Sequence, residues 1–274
     1  MSDEPQSVTA EVFYFTPPED GSKPYTDLNA DPRNNWNPEP HSVEVENLRS
    51  KEGSVTLDTA GFQCGRGAAA HKTFTSDAEI KAEYYPESIE LMKKITGASR
   101  AVVFDHRIRR RRPGETGPTT PEALACPAGA RRPDEGLRHG ARAPTPPAGG
   151  GPRVPPAPVT DHQPLAAHLH PAYDWLLALC DYQSVDRKTD LVPTDLITVD
   201  RKGETDSVRF NPSHQWKYLR GLTPEEFILI KCFDSKTEDN TATMTPHTAF
   251  HDPSTPKDAL PRKSIELRML VFYD

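Results

Sequence analysis

Few residues in this chain have both the type and the setting to do chemistry. The most suggestive group lies toward its C-terminal side. His247 stands in the turn-like TPHTAF (residues 245–250), after the apolar run FILIKCF (residues 227–233) and before SIELRMLVFY (residues 264–273). A histidine just after a strand, with arginines on or beside the next strand, is one half of a metal-and-carboxylate site. Arg262 and Ser264 form an Arg-x-Ser pattern entering that last strand, and Arg268 lies inside it. A guanidinium fork suits a two-point grip on a carboxylate. Asp105 and His106 look like an acid/base pair, but neighbours on a strand point to opposite faces, so they read as structural. The arginine run at residues 107–112 would suggest nucleic acid in isolation. In a chain of net charge −7 and pI near 5.8 it reads instead as a solvated or site-facing strand end. Cys64, Cys126, Cys180 and Cys232 have no zinc-type spacing; Cys180 and Cys232 sit in apolar runs and read as packing.

The elements that must position these residues are mostly strands. VTAEVFYF (residues 8–15), SVEVEN (42–47), TLDTAGF (56–62), SRAVVFDH (99–106) and WLLALC (175–180) carry β-branched, apolar or alternating patterns. A proline- and asparagine-rich loop holding Trp36 separates the first two. Ser76 against Glu79 opens a helix as a capping box. A second helix runs from Tyr85 to a stop at Gly97, with Ile89, Met92 and Ile95 as its apolar stripe. Residues 195–200 and 206–210 suggest a hairpin around RKGE. TPEE (residues 223–226) is a helix-start signal. The whole reads as a mainly β, jelly-roll-like barrel with added helices, in one domain spanning residues 1–274. Residues 114–169 depart from it. Proline, alanine, glycine and arginine dominate there, periodicity vanishes, and the composition is that of a disordered linker. Such a stretch between two core strands is unusual. The N-terminus has no signal-peptide pattern and no apolar run reaches membrane-spanning length, so the expectation is a cytoplasmic protein with no membrane partner, and the acidic charge balance argues for no nucleic acid.

Several segments together resemble the fungal hydroxylase/desaturase family of secondary metabolism, which includes aspergillic-acid hydroxylase-like, gibberellin-desaturase-like and cephalosporin alpha-methoxylase-related proteins. They are VTLDTAGFQ (55–63), EYYPESIELMKKITGASRAVVFDHRIRRRRPGE (83–115), HPAYDWLLALCDY (170–182), WKYLRGLTPEEFILIKCFDS (216–235), TPHTAFHDP (245–253) and SIELRMLVFYD (264–274). The resemblance covers most of the chain outside residues 114–169. It implies a double-stranded β-helix oxygenase fold. It also implies Fe(II)- and 2-oxoglutarate-dependent hydroxylation or desaturation of a small organic substrate, with iron held by a His-x-Asp/Glu pair and a distal histidine. His247 matches the distal ligand. Arg262 with Ser264, or else Arg268, is implied as the grip on the co-substrate carboxylate.

One departure from the family is large. The family carries His-Val-Asp-Gln between the RRRRPGE and HPAYDW segments, and no His-x-Asp or His-x-Glu pair stands there in this chain. Codons can be chosen for residues 130–134 (ARRPD) that, advanced by one base, read His-Val-Asp-Gln. The same advance turns DHQPLAAH (161–168) into Ile-Ile-Asn-Leu-Trp-Arg-Pro, and PTPPAGGG (144–151) into Arg-His-Leu-Pro-Pro-Glu-Glu. The hypothesis that follows is that roughly residues 117–169 are translated out of frame. As written, the chain would then be an impaired oxidoreductase. The rival readings are a catalytically dead product or non-enzymatic binding protein, and a methyltransferase-like protein; for the last, no glycine-rich nucleotide loop is present.

Overall fold

In a computed structural model the chain forms three sheets and one helical layer. The residues described are 4–110, 125–126, 159–167, 169–199, 202–236 and 241–273. The strands are β1 (Ser7–Thr16), β2 (Tyr25–Asp27), β3 (Asn37–Asn47), β4 (Phe62–Arg66), β5 (Arg100–Arg110), β6 (Ala125–Cys126), β7 (Val159–Ala167), β8 (Leu176–Cys180), β9 (Leu191–Ile197), β10 (Lys202–Val208), β11 (Trp216–Tyr218), β12 (Glu226–Asp234), β13 (His247–Phe250) and β14 (Lys263–Phe272). Helix α1 (Asp77–Glu79) passes through a π-turn (Ile80–Tyr84) into α2 (Tyr85–Thr96). The sheet orders are β1-β3-β11-β8-β13, β4-β12-β7-β14-β5 and β2-β9-β10-β6.

The alternation of β14 explains how the layers stack. Ile265, Leu267, Met269 and Val271 are buried against the helical layer, with Ile80, Tyr84 and Met92. Ser264 and Glu266 project from the other face, toward the barrel interior, as the two-residue period of a strand requires. β12 is apolar on both faces. Phe227 and Leu229 join the helix-side cluster, whereas Ile228 and Ile230 join Phe62, Leu179 and Leu219 between the sheets. Burial on both sides is why residues 227–230 read as an unbroken apolar run. A third cluster packs Val12, Tyr14, Val45, Trp216, Tyr218 and Phe250. The result is the jelly-roll architecture expected from the strand pattern.

Local detail follows the sequence signals closely at the helix. Ser76 Oγ accepts from the Glu79 amide at 3.3 Å, and Gly97 ends α2 at φ +71°. Three local expectations change. Residues 56–61 form a turn rather than a strand, because Thr56 and Thr59 exchange side-chain and backbone hydrogen bonds; pairing begins only at Phe62. TPEE does not start a helix. Glu226 Oε2 accepts from the Thr223 amide at 3.0 Å and the Glu226 amide donates back to Thr223 O, closing one turn before the β-rich run takes over. The Trp36 loop contains β2 and the start of β3. Within residues 114–169, those at 114–124, 127–158 and 168 lie outside the described residues, including the stretch whose codons permit His-Val-Asp-Gln. β7 occupies the centre of the five-stranded sheet, paired to β12 and β14, with Pro164 opposite Leu229. Among the described residues no helix is long and apolar enough to cross a membrane.

Candidate functional site

His247 opens β13, which pairs with β8, opposite Leu179. Its Nδ1 lies 2.9 Å from the Thr245 carbonyl. A carbonyl only accepts, so Nδ1 carries the proton and Nε2 keeps its lone pair, the tautomer a metal-binding histidine needs. Burial holds its pKa below the ordinary histidine value, despite the Thr245 carbonyl and nearby Glu266, so the ring is neutral at pH 7. The approach to His247 is set by Gly61. At φ +85°, a Cβ there would lie 2.3 Å from Thr245 Oγ1 and 2.7 Å from Met244 O. Only glycine lets residues 244–245 lie this close to the start of β4.

Arg262 and Ser264 stand together at the entry to β14. Arg262 is 7% exposed and Ser264 1%. Arg262 Nε donates to Ser264 Oγ at 3.1 Å and Nη1 donates to the Trp175 carbonyl at 2.7 Å. Nη2 is buried and has no partner among the described residues. Ser264 Oγ accepts from Nε and keeps its own hydrogen to donate. Two donors, Nη2–H and the Ser264 hydroxyl, are thus available to one carboxylate. Burial pushes the guanidinium pKa down to about 10, which marks a cation held without full compensation. The adjoining cavity, lined by Arg262, Ser264, Leu176, Leu222 and Ile228 among others, measures about 20 Å³. That is room for one water, so a larger ligand requires these walls to part.

Arg268 is placed differently. Its guanidinium lies 5.1 Å over the Phe104 ring and its Cα partner is Asp105. Glu266, between the two arginines in sequence, takes both forks of Arg109, with Nη2 to Oε2 at 3.2 Å and a shorter contact from Nε to Oε1. So one member of the arginine run does face the site, and it carries a counter-charge there. His106 Nδ1 meets Tyr85 OH at 2.7 Å and Nε2 meets Asp77 at 3.4 Å, on the helix side. Cys64 and Cys180 are thiols pushed up to about 12 by burial, which makes them unreactive packing. The sequence reading did not assign Asp174 and Trp175 as the residues that hold Arg262.

The donor chemistry therefore fits a carboxylate but not a complete metal site. His247 supplies one correctly protonated nitrogen, yet among the described residues no three His, Cys, Asp or Glu side chains group around a common point.

Comparison with known proteins gives a consistent result. The family profile described as "Oxidoreductase/YMDC permease-like domain" matches residues 12–135 and 163–272. Hydroxylase/desaturase efuI of Hormonema carpetanum is 30% identical over 266 residues, covering 88% of this chain and 86% of that protein. The Fe(II)/2-oxoglutarate-dependent dioxygenase nvfI of Aspergillus novofumigatus is 26% identical over 261 residues, covering 87% and 85%. Among solved structures, the iron and alpha-ketoglutarate-dependent endoperoxidase NvfI superimposes with a TM-score of 0.78 at 22% identity, over 98% of both chains, which establishes the shared fold.

Proposed function

This chain belongs to the fungal hydroxylase/desaturase family of oxidoreductases, and from that premise we propose that its barrel is built for Fe(II)- and 2-oxoglutarate-dependent oxidation of a small organic substrate of secondary metabolism. The observation that carries this reading is the unpartnered Nη2 of Arg262 beside Ser264. In this reading Arg262 and Ser264 grip the distal carboxylate of 2-oxoglutarate. His247 offers Nε2 to the metal, and the apolar walls from β8 and β12 exclude water. Iron with 2-oxoglutarate supplies the oxidising power when bound. The neutral His247 ring, fixed by the Thr245 carbonyl, needs to lose no proton to become a ligand. We place the protein in the cytoplasm, without membrane or nucleic-acid partner.

The two remaining ligands are not among the described residues. The proposal is that they belong to the coding sequence in another frame, across roughly residues 117–169. Two features of the fold support this. Pro164 stands in the central strand of a five-stranded sheet, where a residue without an N–H leaves a ladder bond unmade. Between α2 and that sheet lies a cleft of about 550 Å³, flanked by Leu91, Met92 and Phe227 and floored by Ala166 and Ala167. A close-packed interior would put larger side chains there.

The test has two parts. The transcript is sequenced across these codons, and 2-oxoglutarate turnover with Fe(II) is measured on the chain as written and on the frame-advanced chain. The expected result is His-Val-Asp-Gln in the advanced frame, with turnover confined to that chain. Turnover by the chain as written would overturn the ligand assignment, and codons that give no His-x-Asp pair would overturn the frame proposal.

A further inference from the structure

The tightest backbone constraint near Arg262 is not on its own strand. Trp175 has φ +45°, and the only other non-glycine described residue at positive φ is Ser50. A bulky residue persists in this region only where its surroundings over-determine it, and such residues concentrate at ligand sites. The surroundings here do so from several directions. The Ala172 amide donates to the Leu222 carbonyl at 2.9 Å. Thr255 Oγ1 donates to the Tyr173 carbonyl at 3.0 Å. The Tyr173 ring lies against Gly221, where a Cβ would come within 2.7 Å of it. The turn at residues 172–175 is thus pinned to both flanking segments before it delivers β8.

What the strained geometry delivers is a pair of contacts to one residue. The Trp175 carbonyl receives Arg262 Nη1 at 2.7 Å, and Asp174 Oδ2 receives the Arg262 backbone amide at 3.2 Å. One contact fixes the guanidinium, the other fixes the main chain that carries it. With Nη1 and Nε both engaged, rotation about the last side-chain bond is blocked and Nη2 is the single corner left for a ligand.

We infer that Asp174 and the left-handed backbone of Trp175 are positioning residues that aim Arg262 at a ligand carboxylate, with the Trp175 carbonyl rather than its indole performing the task. This inference rests on the reading of Arg262 as the 2-oxoglutarate grip. It adds that the grip is preorganised from across the barrel, so that ligand affinity depends on a backbone torsion some ninety residues away in sequence.

The experiment is calorimetric titration of 2-oxoglutarate into the full chain and five variants, with circular dichroism and thermal unfolding reporting the folded state of each. Arg262→Gln tests the underlying reading, and binding should disappear. Trp175→Gly keeps the carbonyl and tolerates positive φ, so affinity should stay within about threefold. Trp175→Val resists positive φ and swings the carbonyl away, so affinity should fall about tenfold or more. Asp174→Ala should lose a similar factor, and Asp174→Asn, which still accepts from the Arg262 amide, should recover it. If the wild-type chain does not bind, or Arg262→Gln binds as well as wild type, the reading of the grip falls. If binding requires Arg262 but Trp175→Gly and Trp175→Val weaken it equally, the indole is what matters and the positioning inference falls; unchanged affinity in Trp175→Val overturns it too. Should Asp174→Ala fail to fold, the glycine–valine contrast decides alone.

Discussion

Replacing Arg262 by methionine should make the protein more stable while removing its affinity for 2-oxoglutarate. Arg262 is 7% exposed, and its guanidinium has no carboxylate in direct contact among the described residues. Burial lowers its pKa from 12.5 to about 10. The difference, 12.5 − 10, at about 1.4 kcal/mol per decade, makes the charged form about 3 kcal/mol worse off than in water. Methionine has similar length, no charge, and flexibility to fill the space between Leu176, Leu222 and Ile228. Against that gain stands the Trp175 carbonyl, which loses its donor at a cost of about 1–3 kcal/mol. Ser264 can rotate to find another partner. The net expectation is a stabilisation of about 1 kcal/mol, as seen when buried ionic groups are exchanged for apolar ones. Urea or guanidinium denaturation of both proteins at pH 7 measures it, with the denaturant dependence checked for equality. Ligand affinity should fall by about 2 kcal/mol or more, since a charge-assisted bond is lost. A variant destabilised by more than about 1 kcal/mol would refute the reasoning. Arg262 would then be a structural cation, compensated in the folded state, and not one held in readiness for a ligand.

Other outcomes follow from the same geometry. Tyr14→Phe removes the oxygen that accepts from Trp216 Nε1 at 2.8 Å and that meets His214 Nδ1 at 3.2 Å. With both partners buried, denaturation should show a loss of about 2–4 kcal/mol, and a loss under 1 kcal/mol would mean the network relaxes freely. Gly61→Ala forces a Cβ into Thr245 and Met244 at positive φ; a drop of about 2 kcal/mol or more and a shifted His247 ring resonance by NMR are expected. Acidification should weaken the fold. Burial depresses the pKa of both His214 and His247, so below about pH 6.5 the unfolded chain takes up protons that the folded chain refuses. Their contribution is intact above that pH and is lost as the pH falls toward the depressed folded values. Asp190 acts lower: burial alone would raise it, but the Asp186 amide, Thr189, Asn211 and His214 together hold it down. Denaturation midpoints that are flat or rising from pH 7 to pH 5 would contradict the assignment.

The barrel was legible because its chemistry is local. β14 and β12 announce their burial in their own alternation or lack of it, and the helix announces its ends through Ser76 and Gly97. The site was legible only in part. His247 and the Arg262–Ser264 pair were singled out because short segments around them resemble the family. Asp174 and Trp175 meet Arg262 across 88 and 87 positions of sequence, and nothing in their own neighbourhood signals that contact. Where local rules failed, a competing interaction was responsible. TPEE has the residues of a capping box, but the apolar run behind it has strand partners on both sides, and a single closed turn satisfies the amides that a helix would have used. Positive φ at Trp175 was not predictable at all, since tryptophan has no preference for that region.

The strand order of the five-stranded sheet also bears on how the protein is made. β5 has β14 as its neighbour there, and Lys263 pairs with Arg110, 153 positions earlier (263 − 110). As the chain leaves the ribosome, β5 and the helical layer that packs beside it emerge long before that neighbour is synthesised. During that interval β5 has an unsatisfied edge and the apolar face of α2 lacks Leu267 and Met269. Ribosome-bound chains stalled before Lys263 should remain protease-sensitive in β5, whereas β1 and β3, which pair with each other, are able to do so early.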